Sequence, residues 1–187
     1  MATSLITELE RLANTIENDP SGATEISMST IGERIARHLS VKTDEVAILS
    51  VSYRWRHLHF LVPQALKNVG FIPLTSNSAL AARTARDSRP EINNNFTSVR
   101  HASVFEGVRA GTTSGEAIQK IVSAPILCEG KVVGVMQISR KGLNVTEAGA
   151  DFTADDLGKV LALCRPLGKI VRYLVGNEGT AGAPPSE

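Results

Sequence analysis

The chain has 187 residues, 42% of them hydrophobic and 21% charged, which is enough for one folded domain with appendages and excludes a disordered or fibrous chain. Twenty Lys and Arg against nineteen Asp and Glu leave a formal charge of +1, too balanced for the broad positive field that draws nucleic acid. The two cysteines, Cys128 and Cys164, lie far apart with no Cys-x-x-Cys or Cys/His spacing, which excludes a disulfide framework or zinc finger and fits reduced thiols in a cytoplasmic protein.

Leu5, Leu9, Leu12 and Ile16 recur at spacings of four, three and four, on one stripe of a first helix. So short a helix must pack on something, either its own domain or the same helix of a second copy. The acids within its first ten residues and the lack of an apolar run predict no secretory signal, and no stretch approaches the ~20 residues of a membrane span. The turn formers Asn18-Asp19-Pro20-Ser21-Gly22 end the helix. Thr30-Ile31-Gly32-Glu33 has the spacing of a capping box and predicts that a second helix starts there, with Ile31, Ile35 and Leu39 inward.

Asp44 to Ser52, apolar on both faces around Val46-Ala47-Ile48-Leu49, reads as an interior strand. After a turn at Tyr53–Arg56, Leu58, Phe60 and Val62 alternate with His57, His59 and Leu61, which predicts a half-exposed strand pairing with the first. Ala79 to Arg86, closed by Arg89-Pro90, is a short third helix, and Glu91 to Asn95 a brief strand. The segment from Phe96 to Glu116 carries a helical turn near Val104–Val108. Ile121–Leu127 and Lys131–Ser139 form the clearest hairpin around Cys128-Glu129-Gly130. In its second strand Val132, Gly134, Met136 and Ile138 are expected on one face, Val133 and Val135 on the other. Thr153 caps a last helix with a wide apolar face from Leu157 to Val175, and residues 177–187 read as a disordered tail.

This order predicts an α+β sandwich: a central antiparallel sheet of five or six strands, profilin-like, with helices covering it. From about Thr30 to Val175 the chain resembles the GAF family of small-molecule sensor domains. The likeness rests on Asp44-Glu45-Val46-Ala47-Ile48-Leu49, on Ser78 to Pro90, on Ser123-Ala124-Pro125-Ile126 followed by Gly130-Lys131-Val132-Val133-Gly134-Val135, and on Phe152-Thr153-Ala154-Asp155-Asp156-Leu157. It implies terminal helices on one face of the sheet, a ligand pocket on the other, and pairing of two copies through the terminal helices. The domain plan is then residues 1–27 as a dimerising helix and linker, 28–176 as the GAF-like domain, and 177–187 as the tail. The dimer residues are Leu5, Leu9, Leu12, Ile16, Leu167, Val171 and Leu174.

The function expected is a non-catalytic small-molecule sensor acting as a homodimer and signalling through a downstream protein, with no nucleic acid or membrane partner. The alternatives are a ligand-free dimerising scaffold and a redox enzyme such as a free methionine sulfoxide reductase. Candidate ligand-binding residues are Phe60, Ser78, Phe96, Arg100, His101, Phe105 and Met136, and the ligand or cofactor is left unassigned. The Asn-Lys, Phe and Asp-Glu set of cyclic-nucleotide-binding members is met only by Asn94-Asn95-Phe96. The cysteines do not sit where a bilin carrier needs one, and Ser123 and Ala124 stand nearest to the reductases' clustered cysteines. No Ser, Cys or metal motif for catalysis is present. His57 and His59 share a strand face, but no Asp, Glu or Cys completes a metal set, so an exposed strand face is expected.

Overall fold

The computed structural model describes residues 4–19, 26–68, 70–98 and 116–178. Six strands form one sheet in the order β3-β2-β1-β6-β5-β4, every neighbouring pair antiparallel. They are β1 (Val46–Ser52), β2 (His57–Val62), β3 (Phe71–Pro73), β4 (Glu91–Asn93), β5 (Ala117–Cys128) and β6 (Lys131–Gly142). Among the described residues the helices are α1 (Leu5–Asn18), α2 (Met28–Leu39), α3 (Leu80–Asp87) and α4 (Ala154–Glu178). The expected α+β sandwich is present, with six strands among the described residues.

The strands separate two cores. On one face Ile48, Val122, Ala124, Ile126, Met136 and Ile138 pack against α1, α2 and α4. Leu163, Leu167, Ile170 and Val171 of α4 are fully buried there, which puts the main hydrophobic stabilisation on this side, at about 1.5–3 kcal/mol per large side chain. On the other face Ala47, Leu49, Phe60, Ile121 and Val135 pack against α3 and Phe96.

The stripe of α1 is buried within its own chain: Leu5, Leu9, Ala13 and Ile16 lie in the helix-side core, with Leu12 partly buried against it. Arg34 of α2 pairs with Glu8, and Lys169 of α4 reaches Glu17 at 2.5 Å, so α1 is tied to both neighbouring helices. Leu167 and Val171 are likewise fully buried, while Leu174 is partly covered. Any second copy would therefore meet the half-buried residues of this layer, such as Ile6, Leu12, Leu161 and Leu174.

Several local expectations change. α2 begins at Met28, capped by Ser27, whose Oγ accepts the Thr30 amide at 3.2 Å, rather than starting at Thr30, because the earlier start buries Met28. β2 is covered on both faces rather than half exposed, since His57 and Leu61 pack beneath neighbouring elements and are almost wholly buried. β4 stops at Asn93. α4 runs on through Pro166 to Glu178, three residues beyond the expected end at Val175. The region expected to hold a turn at Val104–Val108 lies outside the described residues, as do positions 179–187 of the tail.

A register shift between Ile126 and Leu127 pairs Ile126 with Gly134 but Leu127 with Val132. The extra residue in β6 breaks the two-residue alternation. Val132 therefore joins the α3 side, and Val133 packs on the helix side, reversing both from their expected faces. The tight β5–β6 turn places Glu129 and Gly130 at φ 51° and 76°, the doubly positive geometry that a two-residue hairpin loop demands.

The approach to α4 is pinned from β4, β5 and β6. Asn94 grips the Phe152 backbone from both sides, its Oδ1 accepting the amide at 2.8 Å and its Nδ2 donating to the carbonyl at 3.0 Å. Lys120, almost wholly buried, donates to Asp151 at 2.7 Å and to the Gly149 carbonyl at 2.5 Å. Arg140 lies over the Phe152 ring at 4.6 Å and donates to the Ala150 carbonyl at 2.7 Å. The expected Thr153 cap is reciprocal: Thr153 Oγ1 accepts the Asp156 amide at 3.3 Å, and the Asp156 carboxylate accepts the Thr153 amide at 2.9 Å. That backbone bond is the main reason the Asp156 pKa lies below its ordinary 3.8.

Candidate functional site

The two faces of the sheet differ in chemistry. The helix face beneath α4 is apolar through its centre, but the α3 face carries polar side chains in the middle of buried strands. Ser123 of β5 and Gln137 of β6 stand directly opposite each other and are essentially inaccessible. Thr84 of α3 comes down onto them, with Thr84 Oγ1 2.8 Å from Ser123 Oγ and Gln137 Nε2 donating to Ser123 Oγ at 3.2 Å. Thr84 Oγ1 also donates to the Leu80 carbonyl at 2.9 Å. With one proton per hydroxyl, the chain runs from the Gln137 amide through Ser123 to Thr84 and ends on Leu80, with both hydroxyls donating and accepting.

Such a chain is costly to break. A buried donor left without a partner loses about 1–3 kcal/mol, so the three residues hold one arrangement unless a bound group offers replacement bonds. Beside them, Gln119 accepts from Thr97 Oγ1 at 3.2 Å and donates to the Gly142 carbonyl at 2.9 Å. Phe60 and Phe96 belong to the apolar cluster around these polar groups.

The candidate ligand residues divide. Phe60 and Phe96 share the α3 face, both deeply buried. Ser78 stands at the rim, where Ser76 Oγ lies 3.3 Å from Ser78 Oγ and caps the α3 entry by accepting the Ala79 amide at 3.1 Å. Arg86 fixes this rim by donating to the Leu74 and Ser76 carbonyls at 2.6 and 2.7 Å. Met136 points the other way, into the helix-side core, because it is one residue out of phase with Gln137. Arg100, His101 and Phe105 lie outside the described residues. Thr84, Ser123 and Gln137 were not singled out as ligand residues from the sequence. The polar members of β5 and β6 are visible there as interruptions of apolar runs, but their meeting with a residue of α3 is not.

The cysteines are not placed for chemistry with this cluster. Cys164 is buried in the helix-side core, and burial pushes its thiol pKa up to about 12. Cys128 closes β5, with Arg172 Nη1 3.7 Å from its sulfur. It borders a cleft of about 320 Å³ between Tyr53, Lys131 and Arg172 at the end of the sheet.

His57 and His59 form a second polar grouping, on the helix side of β2 near the sheet edge. Their Nε2 atoms approach to 2.5 Å, and the Phe71 ring stacks on His57 at 4.5 Å. Burial, followed by the neighbouring His59, holds the His57 pKa below its ordinary 6.5, against a smaller opposing effect from the Trp55 backbone. Because the unfolded chain takes up that proton more readily, this contribution to stability is complete above about pH 6.5 and is lost as pH falls toward the folded pKa. Thermal unfolding between about pH 7.5 and 5 should show His57→Gln losing less stability on acidification than the native chain. Equal losses would mean that another group carries the effect.

No protein-family model and no curated protein matches the sequence. Solved structures do. The GAF domain of an Acinetobacter phosphoenolpyruvate-protein phosphotransferase superposes with a TM-score of 0.61 at 14% identity, covering 98% of this chain and 99% of that one. This chain has a GAF-like fold. A GAF domain from a two-component sensor histidine kinase of Bacillus halodurans is similar at a TM-score of 0.54 and 18% identity, covering 83% and 100% of the two chains. The type II free methionine-R-sulfoxide reductase of Thermoplasma acidophilum matches at 0.55 and 13%, covering 88% and 95%. The likeness therefore spans sensor components and an enzyme, and the GAF-like framework alone does not choose between them.

Proposed function

We propose that this chain is a non-catalytic sensor module that binds a small molecule on the α3 face of the sheet and acts as a homodimer through the layer of α1 and α4. The observation that carries the reading is the buried chain Gln137–Ser123–Thr84, polar groups at the centre of one face while the opposite face is apolar beneath α4. Such a floor, covered by α3, would suit a small molecule with one hydrogen-bonding group and an apolar body once α3 moves aside, with Phe60 and Phe96 as its apolar surround. The histidine-kinase GAF domain among the structural neighbours supports a signalling role, with output through a downstream protein.

The reductase reading is weaker for this chain. Ser123 carries a hydroxyl where a reductase would need a thiol, and burial pushes the Cys164 thiol pKa up to about 12, so neither offers a ready thiolate. The scaffold reading draws on the tight packing of α3, whose Leu80, Ala81 and Ala82 are completely buried.

A thermal-shift and native-mass screen against metabolites decides between sensor and scaffold. A ligand present at a hundred times its Kd is expected to stabilise the native chain by about 2.7 kcal/mol, and Ser123→Ala should reduce that gain. A broad library without a single bound species would favour the scaffold. Light scattering should give twice the chain mass, and a monomer at all concentrations would remove the dimer from the proposal.

A further inference from the structure

We infer that His57 and His59 are the chelating pair of a divalent-metal site of the zinc class, separate from the α3 face. Residues two apart on a strand share one face, but sharing a face does not by itself aim two rings at one point. Here both ε-nitrogens converge to 2.5 Å, with ring centroids 4.2 Å apart and the planes near perpendicular at 84°. Two lone pairs at that separation would repel, so either one imidazole donates its N–H to the other or a metal ion lies between them.

Three features favour the ion. His57 is held in place by the Phe71 ring stacked on it, so one ligand is positioned in advance. Its cross-strand neighbour is Ser52, and that of His59 is Ser50, small side chains that leave the rings room to part. Burial favours the uncharged imidazole, the form that binds metal. Two nitrogens about 2.0–2.1 Å from a tetrahedral zinc stand roughly 3.3 Å apart, so the pair must open by less than about 1 Å, which the partly exposed His59 ring permits.

Among the described residues no group of three His, Cys, Asp or Glu side chains is assembled to hold a metal. Held by two protein ligands, the ion would keep its remaining positions for water or for a donor from outside the pair.

Zinc chloride titrated into the full chain near pH 7.5, followed by calorimetry and by the fluorescence of Trp55, the only tryptophan, tests this. One saturable site per chain is expected. His57→Gln and His59→Gln should each weaken it at least about tenfold, as a chelate reduced to one ligand does, while His38→Gln on the exposed side of α2 leaves it unchanged. Unfolding curves accompany each variant, and His59→Gln, at the more exposed position, carries the test if His57→Gln does not fold. No saturable site in the native chain would overturn the inference in favour of a shared proton. Undiminished binding in a folded His59→Gln chain would overturn it as well.

Discussion

Gly168→Ala is expected to destabilise the protein by at least about 3 kcal/mol, toward the upper end of what overpacking a core costs. A Cβ at position 168 would stand 2.0 Å from the Leu127 carbonyl oxygen and 2.9 Å from its carbon. Both belong to the backbone of β5, which is held in a ladder with β6 and cannot turn aside as a side chain would. Relief requires α4 to lift from the sheet, loosening Leu163, Leu167 and Val171, all completely buried at that contact. Other glycines supply the controls. At Gly32 the nearest atom would be a methyl of Val62 at 2.7 Å, the end of a side chain, and at Gly158 nothing lies within 4 Å. Gly158→Ala should thus be neutral or stabilising by up to about 1 kcal/mol, through helix propensity. Urea midpoints of the three variants measure the order directly. If Gly168→Ala falls within about 1 kcal/mol of the native chain, α4 does not sit on β5 as closely as described.

The parts of this fold that were legible in the sequence are those whose signals are local. The β5–β6 hairpin announces itself through two β-branched runs joined at Glu129-Gly130, and α4 through its cap and apolar face. β3 was not legible, because Phe71-Ile72-Pro73 is too short for a period and ends in proline, which a sheet edge accepts. The bulges at Leu61 and at Val133-Gly134 were not legible either, since one extra residue leaves composition unchanged and shifts only the register. That shift is why Val132 and Val133 exchanged faces. The start of α2 turned on a tertiary effect: Ser27 and Thr30 are both competent caps, and the burial of Met28 selects the first.

The candidate sites follow the same rule. His57 and His59 were readable as a pair, but the cover on His57 comes from β3 and its Phe71, an element the sequence did not reveal. Ser123 and Gln137 were readable as polar breaks in two apolar strands. Their partner Thr84 lies 39 residues from Ser123 along the chain, and its place on the sheet-facing side of α3 follows only from the way the 80–87 helix crosses the sheet.

Phe96→Ala separates a ring that supports the α3-side core from one that lines a ligand cavity, and its expected cost is about 3–5 kcal/mol. Phe96 is 1% exposed and sits at the start of a single 3-10 turn, Phe96–Ser98, beside β5. Its ring belongs with Phe60, Ile121 and Val135 to the α3-side core, so truncation leaves a void that an 8-residue helix closes only partly. A ring lining an open ligand cavity has fewer partners to lose, and its removal would cost less than about 1 kcal/mol. Chemical denaturation of the native chain and the variant measures the difference, and the large value is the expected one. Read together with Ser123→Ala, the result locates the ligand. A large loss for Phe96→Ala with a diminished ligand shift for Ser123→Ala places the molecule over the polar floor, with Phe96 as supporting core. A small loss for Phe96→Ala moves the cavity to the ring itself, and the polar chain beneath it then acts as a structural tie between α3 and the sheet.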